Sequence, residues 1–173
     1  MRGGKGYPVA YDRNTGEALG DINASGRDGG TWALLSPDEK RFWSGPAEKN
    51  AAYQFDAQSR DHLASVANAN YLILDAAHAY YVTDRRVVKT DFADQSVVWA
   101  SPHAYPCALI KAGDTLFVGG DSEIAAFDDQ GKRIWTAPVD GRAYGLAAAN
   151  GHLFASTDRG RIHCFGNGKP ISP

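Results

Sequence analysis

Cysteine is scarce in this sequence, and the positions of the two cysteines exclude several kinds of site. Cys107 and Cys164 are 57 positions apart in a chain of 173 residues, and neither belongs to a Cys-x-x-Cys pair. This spacing argues against a disulfide framework, a cysteine-based zinc site and a c-type haem attachment.

Long apolar runs and an excess of charge of one sign are also missing. No segment is apolar enough for a membrane-spanning helix, and residues 1–20 lack the apolar stretch of a signal peptide. The net charge is −2, with 43% hydrophobic and 22% charged residues. These values argue against a disordered chain, a coiled coil and an electrostatic binder of nucleic acid or anionic membrane. Apolar spacing of three and four residues is never sustained, so no substantial helix is expected.

A repeat organises the chain. Four segments align on an aspartate that is followed, seven or eight positions later, by a large apolar residue. A fifth copy, at 162–169, has Gly166 in the aspartate place, and successive copies are 35 to 44 residues apart. The aligned aspartates are Asp12, Asp56, Asp91 and Asp128, and the large apolar residues are Leu19, Leu63, Trp99 and Trp135. A period of this length is typical of solenoids and propellers.

Each period divides into short strands separated by turn residues. In the clearest copy the strands are CALIKA (107–112), TLFVG (115–119), EIAAF (123–127) and RIWTA (133–137). The last copy continues with GLAAA (145–149), an Asn150-Gly151 turn, HLFAS (152–156) and RIHCF (161–165). The Asn-Gly pair predicts a two-residue hairpin with positive φ at both positions. The pattern predicts an all-β fold, a partial β-propeller with about four four-stranded antiparallel blades.

The recurring aspartate favours a structural role. At the end of a third strand its side chain can accept a hydrogen bond from a backbone N–H two residues on, and Gly16 and Gly131 can supply a left-handed turn residue. A carboxylate cluster for acid–base chemistry is the alternative. One aspartate per blade favours the turn.

Residues 10–16, Ala-Tyr-Asp-Arg-Asn-Thr-Gly, and the segment 105–166 resemble the pyrroloquinoline-quinone-type (PQQ-like) repeat. The chain therefore resembles β-propeller proteins of the quinoprotein alcohol dehydrogenase-like superfamily over nearly its whole length. Members include quinone-dependent alcohol dehydrogenases and a periplasmic scaffold lipoprotein of the outer-membrane assembly machinery. A WD40 propeller is the nearest alternative, because residues 36–41 and Gly151-His152 resemble that family, but the chain has no Trp-Asp dipeptide.

The resemblance does not imply a quinone-binding site in this chain. The dehydrogenases place two vicinal cysteines over the cofactor and add calcium ligands and an aspartate base. Here Cys107 and Cys164 fall at different phases of the repeat, so both are expected to be small apolar residues on inner strands without a mutual bridge. We expect no catalytic residue, no metal ion and no cofactor, and the sequence defines no cofactor-binding residues.

The other polar and aromatic residues are expected to be structural. No histidine lies at a metal-ligand spacing from another, and the glycine-rich start at 2–6 lacks the strand and helix of a phosphate loop. The basic residues are expected on solvated faces and turn tips, with a phosphate-binding surface as the alternative, and the aromatics in the core or between blades. The histidines are His62, His78, His103, His152 and His163; the basic residues are Arg85, Arg86, Lys89, Lys132, Arg133, Arg142, Arg159 and Arg161; the aromatics are Phe42, Trp43, Tyr80, Tyr81 and Tyr105.

Two functional hypotheses follow. The first is a non-catalytic interaction or scaffold module that binds protein partners through propeller loops or open edges, with self-association as an option and no nucleic-acid partner. The second is part of a quinone-dependent dehydrogenase-like enzyme. The resemblance implies a periplasmic or cell-envelope location if the chain lacks its natural N-terminus.

Residues 1–173 are expected to form a single PQQ-like propeller domain that is part of a larger propeller. Third and fourth strands are predicted at 7–12 and 17–22, and a third strand without a following fourth at 161–165. The fourth strand at 17–22 could close the last blade, two copies could form one ring, or the propeller could be open. The usual size of the family, about eight blades, favours the open or partial form.

Trp99 and Trp135 test the blade register. Both are expected to be buried at blade junctions, so that replacing either with alanine lowers the free energy of unfolding by roughly 3–5 kcal/mol. Urea denaturation of the two variants measures this loss.

Overall fold

The computed structural model describes residues 9–21, 32–45, 51–92 and 94–166. Secondary structure in these ranges is entirely β, and they contain no helix that could cross a membrane. The strands are β1 (Val9–Tyr11), β2 (Ala18–Asp21), β3 (Trp32–Leu35), β4 (Arg41–Gly45), β5 (Ala52–Asp56), β6 (His62–Val66), β7 (Tyr71–Leu74), β8 (His78–Val82), β9 (Val87–Asp91), β10 (Val97–Ser101), β11 (Ala108–Ala112), β12 (Thr115–Gly119), β13 (Asp121–Phe127), β14 (Arg133–Ala149), β15 (His152–Thr157) and β16 (Ile162–Gly166).

The strands pair in chain order. We name the sheet β3–β6 blade 1 and the sheet β7–β10 blade 2, while β1 and β2 form a separate N-terminal hairpin. The six strands β11–β16 form one sheet. Its first part, β11–β13 with residues 133–142, is blade 3, and residues 143–149 with β15 and β16 are blade 4. The predicted strands of blades 3 and 4 are present, with β14 longer than expected.

The chain divides into two compact units. Unit 1 contains Met1–Asn70 and Leu74–His78, and unit 2 contains Tyr71–Ile73 and Ala79–Pro173. In unit 1, Trp43 and Phe55 are buried in blade 1, and the Trp32 indole N–H donates to the Asn70 carbonyl at 3.1 Å. These contacts lie within unit 1.

The strand β14 differs from the prediction. The sequence predicts separate strands at 133–137 and 145–149, but β14 runs without a break from Arg133 to Ala149. It pairs with β13 as far as Arg142 and with β15 from Ala143 onward. Gly141, with φ of +96°, lies where the strand changes partner, and L side chains rarely adopt this conformation. The sequence pattern did not show that the backbone could pass between blades while remaining extended.

The repeated aspartates fix turns, as predicted. Asp12 Oδ1 accepts hydrogen bonds from the backbone N–H groups of Asn14 and Thr15, both at 2.8 Å. The equivalent donors are Gln58 and Ser59 for Asp56, Asp94 for Asp91, and Gln130 and Lys132 for Asp128. The N–H groups of Thr15 and then Asn14 lower the pKa of Asp12, which keeps this carboxyl ionised at neutral pH. This environment suits a turn cap and not a general acid.

Positive φ recurs at the end of these turns. Gly16 and Gly131 have φ of +72° and +78°, as predicted, and Arg60 and Gln95 occupy the same place at +66° and +62°. Two copies therefore hold a side chain in a conformation that glycine adopts more readily. The Asn150-Gly151 hairpin is confirmed as well, with φ of +51° and +74°.

The core of unit 2 lies between consecutive blades. Between blades 2 and 3, Tyr80 and Val87 pack with Val118 and Phe127 in one buried cluster. Between blades 3 and 4, a second cluster contains Ile124, Ala137, Ala143, Leu153 and Ala155. Alternate side chains of a strand point to opposite faces of its sheet, so β13 supplies residues to both clusters.

The two tryptophans contact the following blade, but they are less buried than predicted. Trp99 is half-buried, and its indole N–H donates to the Asp129 carbonyl at 2.9 Å. Trp135 is 37% exposed and packs edge-on against Phe165, with 5.4 Å between the ring centroids. Fourth strands have an exposed flank, so the side chain is covered by one neighbour only.

Lys89 also differs from the prediction, because it is buried and not on a solvated face. It is 3% exposed, and its ammonium lies 2.6 Å from the Asp129 carboxylate and 5.6 Å from the centre of the Tyr80 ring. Burial alone acts to lower the pKa of Lys89, but the hydrogen bond to Asp129 and the Tyr80 contact outweigh it, so the pKa is raised. The charge is therefore retained inside the junction of blades 2 and 3.

We predict unequal losses for the two tryptophans. Trp99→Ala should lower the free energy of unfolding by about 3 kcal/mol, because it removes a hydrogen bond and a ring packed on Gly131. Trp135→Ala should cost about 1–2 kcal/mol, since a third of its surface is already in water. Urea denaturation measures both, and equal losses would contradict the observed difference in contacts.

We predict that removing the counter-ion of Lys89 destabilises the fold more than removing the charge of Lys89 itself. Asp129→Asn leaves a buried ammonium without a counter-ion and should cost about 2 kcal/mol, less than for a fully buried pair because Asp129 is half-exposed. Lys89→Met removes the charge at similar volume and should cost less than about 1 kcal/mol.

The raised pKa of Lys89 also predicts a dependence of stability on pH. Its contribution to stability is fully present below the unfolded pKa of 10.5 and is lost as the pH rises through the pKa of the folded state. Thermal melts of the wild type at increasing alkaline pH should therefore fall more steeply than those of Lys89→Met.

Candidate interaction surface

Three arginines gather where β14 passes from blade 3 to blade 4. The Asp140 carboxylate binds two of them, with Oδ1 2.8 Å from Arg159 Nη1 and Oδ2 2.7 Å from Arg161 Nε. The third, Arg142, has its Nε 3.5 Å from the Asp121 carboxylate. We name Asp140, Arg142, Arg159 and Arg161 the arginine cluster.

Backbone contacts fix the carboxylate at the centre of this cluster. The Asp140 N–H donates to His163 Nε2 at 3.2 Å, so this ring nitrogen acts as an acceptor. The Arg142 N–H donates to Asp158 Oδ1 at 2.9 Å, which joins the β15–β16 turn to β14. A Cβ at Gly141 would lie 2.5 Å from that same Asp158 oxygen. Glycine is therefore required at 141 both by φ and by close approach.

The cluster can bind anions. The side chains of Arg159 and Arg161 are 68% and 67% exposed, although both are held by one carboxylate. A guanidinium has five N–H donors in a planar fork, and Asp140 accepts only one from each. The remaining donors face solvent on side chains whose position is already set. Such donors suit carboxylates and phosphates, which arginine binds in bidentate fashion.

A second polar group lies at the connection between blades 2 and 3. The buried Tyr105 hydroxyl donates to the Glu123 carboxylate and accepts from Arg133 Nη1 at 3.1 Å. Burial, and after it the Glu123 contact, raises the pKa of Tyr105, so the phenol keeps its proton. The His103 ring packs 6.2 Å from Tyr105, centroid to centroid. These contacts anchor the connecting loop and orient Arg133.

The two cysteines have different environments. Cys107 is buried just before β11, and burial raises the pKa of its thiol, which disfavours the nucleophilic thiolate. Cys164 is exposed on β16. The prediction of an inner, small apolar position is therefore wrong for Cys164, because it shares a face of blade 4 with Phe154 and Ile162, which are exposed as well. Both thiols are free.

The histidines are dispersed, and the part of the chain that the structure describes contains no group of three metal-ligating side chains. His62 packs against the rings of Tyr53 and Phe55, each at 5.8 Å, and His152 Nδ1 lies 2.9 Å from the Asn150 carbonyl. The glycine-rich segment at 2–6 lies outside the described residues. The aromatic residues singled out from the sequence do not form an exposed stacking surface. Trp43, Tyr80 and Tyr105 are buried, and Phe42 and Tyr81 are half-buried.

Asp140 is the residue that sequence reasoning missed. It is 19 and 21 positions from its two arginine partners, and the Asp140-Gly141 pair reads as an ordinary turn. The available signal was the presence of two arginines, Arg159 and Arg161, in the short segment between β15 and β16. Their shared partner emerges only from the pairing of blade 4.

Comparison with known proteins gives the fold. Residues 120–171 match the family model described as outer membrane protein assembly factor BamB. BamB from Moraxella catarrhalis superposes with a TM-score of 0.67 at 18% identity, covering 91% of this chain and 52% of that one. The computationally designed Ika4 protein gives a TM-score of 0.65 at 14% identity, with 78% and 89% covered. The Pan2 WD40 domain of Neurospora crassa gives 0.61 at 14%, with 81% and 46% covered.

The chain thus spans about half the length of the BamB and Pan2 structures. The curated protein sequences contain no match to it. The family model covers most of blades 3 and 4, where the repeat is clearest in the sequence, and the structural similarity extends to the other blades. The predicted all-β propeller architecture is confirmed, and the match over residues 120–171 identifies PQQ-like repeats in blades 3 and 4.

Proposed function

We propose that this chain is a non-catalytic propeller module that binds protein partners, and that the arginine cluster receives an acidic segment of a partner. The observation that carries the proposal is the pair Arg159 and Arg161, held by the single carboxylate of Asp140 and two-thirds exposed. Side chains that are already positioned lose little conformational freedom on binding.

The similarity to BamB supports a role in assembly. The matching family is named for outer membrane protein assembly, and the structural similarity covers 91% of this chain. We extend from this a scaffold role and a periplasmic or cell-envelope location for the present protein. We also propose that residues 1–173 act as one propeller domain that is part of a larger propeller.

The quinone-dependent dehydrogenase remains the alternative function. Vicinal cysteines are the feature it would need, whereas Cys107 is buried before β11 and Cys164 is exposed on β16. Adding pyrroloquinoline quinone with calcium and measuring bound absorbance and dye-linked alcohol oxidation tests this directly. Stoichiometric binding with turnover would replace the scaffold proposal.

We predict selective binding of an acidic peptide. A fluorescein-labelled peptide of alternating glutamate and serine should bind the wild type, and binding should weaken as salt is added, because the contacts are between charges. The variant R159E/R161E should weaken binding at least about tenfold, since both donors become like charges. Fluorescence anisotropy measures the affinity, and the same peptide with glutamine in place of glutamate should not bind.

The matched control reverses two charges elsewhere. Arg85 and Arg86 lie exposed in the β8–β9 turn, so R85E/R86E makes the same change in net charge away from the cluster. This control should bind the peptide within about twofold of the wild type, apart from the weak long-range effect of net charge. Equal weakening in both double variants, or no binding by the wild type, would contradict the proposed site.

A further inference from the structure

The hairpin between β14 and β15 presents an unpacked Asn-Gly peptide bond. Asn150 and Gly151 form its tip, and the last strand pair before them joins Ala149 to His152. Both tip residues are exposed, and a Cβ at Gly151 would meet no other residue within 4 Å. No group in the described part of the chain accepts a hydrogen bond from the Gly151 N–H. The backbone nitrogen that follows the Asn150 side chain is therefore held neither by packing nor by a hydrogen bond.

His152 donates a hydrogen bond to the same peptide group. Its Nδ1 lies 2.9 Å from the Asn150 carbonyl oxygen. A carbonyl oxygen only accepts, so Nδ1 carries a proton and is the donor. The Asn150 carbonyl and the Gly151 N–H belong to one peptide unit, which is joined by resonance. The N–H proton becomes easier to remove, because a hydrogen bond to the oxygen favours the negatively charged form of the unit.

We propose that Asn150 is a deamidation site of the folded chain and that His152 promotes the reaction. The Gly151 nitrogen loses its proton and bonds to the side-chain carbonyl carbon of Asn150. The bond from that carbon to the side-chain nitrogen breaks, and ammonia leaves with the proton. Water then opens the five-membered imide at one of its two carbonyl carbons. The product has either aspartate or β-linked isoaspartate in place of Asn150.

Gly151 favours this reaction at Asn150, and a second asparagine provides the comparison. Glycine adopts a wider range of φ and ψ than other residues, and it has no side chain beside the attacking nitrogen. Asn68 is also exposed, and its φ of +58° is close to the +51° of Asn150. It is followed by Ala69, which is fully buried. The two asparagines share a left-handed φ and differ in the residue that supplies the nitrogen.

Isoaspartate at the hairpin tip would disturb blade 4. The β-linkage adds a methylene carbon to the backbone, and β14 and β15 pair without a bulge from Gly145 to the tip. Leu153, which follows His152, pairs with Ala148 and is buried in the core between blades 3 and 4. A change of length or register at the tip therefore acts directly beside a core residue. We expect the modified chain to unfold at a lower temperature.

Peptide mapping of the full chain, incubated at neutral pH, tests the site. Trypsin places Asn150 in the peptide 143–159 and Asn68 in the peptide 61–85, and mass spectrometry measures the deamidated fraction of each. Asn150 should react at least about tenfold faster than Asn68, because only Asn150 precedes glycine. Aspartyl and isoaspartyl forms of the peptide 143–159 should appear as two products of equal mass. Equal rates at the two asparagines would overturn the proposal.

Three variants test the role of His152. His152→Phe keeps a ring but removes the donor, and it should slow deamidation of Asn150 about fivefold, the effect of one exposed hydrogen bond on a barrier. His152→Asn places an amide N–H near the position of Nδ1 and should restore the rate to within about twofold of the wild type. The matched control, His62→Phe, makes the same change away from the hairpin and should leave the rate unchanged. An unchanged rate in His152→Phe would overturn the role of His152.

Two further comparisons separate the hydrogen bond from the sequence. Asn167-Gly168 is an Asn-Gly pair without a following histidine, and it lies in the tryptic peptide 162–169. Its rate should be the same in the wild type and in His152→Phe. In guanidinium chloride the contact of His152 with the Asn150 carbonyl is lost, so the two proteins should react equally there. A difference that persists in the denatured chains would mean that the folded geometry is not the cause.

Thermal melts of fresh and incubated protein test the structural consequence. The melting temperature of the wild type should fall as deamidation at Asn150 proceeds. Asn150→Gly removes the reactive amide and keeps a residue that accepts positive φ, so its melting temperature should not change on incubation. Equal falls in both proteins would contradict the expected effect on blade 4. Far-UV circular dichroism establishes that each variant is folded at the start.

Discussion

The packing of each blade against the next is the interaction on which the structure of unit 2 depends. Strand β13 shows this most clearly, because Ile124 and Phe127 are both fully buried but belong to different junctions. A sheet of four short strands has two apolar faces and cannot bury either one by itself. Burial comes only from neighbours, so stability is shared along the series of blades, and any blade without a neighbour presents an apolar face.

Polar groups are placed around this constraint. The aspartates that end the third strands satisfy backbone N–H groups locally, so the turns need no partner from another blade. Lys89 is the exception, since it enters the junction between blades 2 and 3 and is neutralised by Asp129 of the following blade. The fourth strands carry less of the packing, and this explains why Trp135 remains partly in water.

The same geometry creates the surfaces available for binding. Loops and turns lie in contact with solvent, so they can carry charged side chains. In the arginine cluster, the carboxylate of Asp140 holds the flexible side chains of Arg159 and Arg161 in position. The face of blade 4 that carries Phe154 and Ile162 is of the opposite character, because these exposed side chains are apolar. The described residues therefore include two chemically distinct surfaces, one charged and one apolar.

Local features were determined by the sequence. Turn residues and alternating apolar residues act over a few positions, so the strands of blades 3 and 4, the aspartate turns and the Asn150-Gly151 hairpin could all be predicted. The resemblance to PQQ-like repeats likewise rests on such local motifs.

What only the tertiary structure decided involves residues far apart in the chain. The unbroken β14, the burial of Lys89, the exposure of Cys164 and the meeting of Asp140 with Arg159 and Arg161 all depend on which blade covers which face. A repeat pattern assigns equivalent environments to equivalent positions, as it does for Ile124 and Ile162. Their exposures of 0% and 77% differ because burial is a property of the neighbouring blade and not of the residue's own strand.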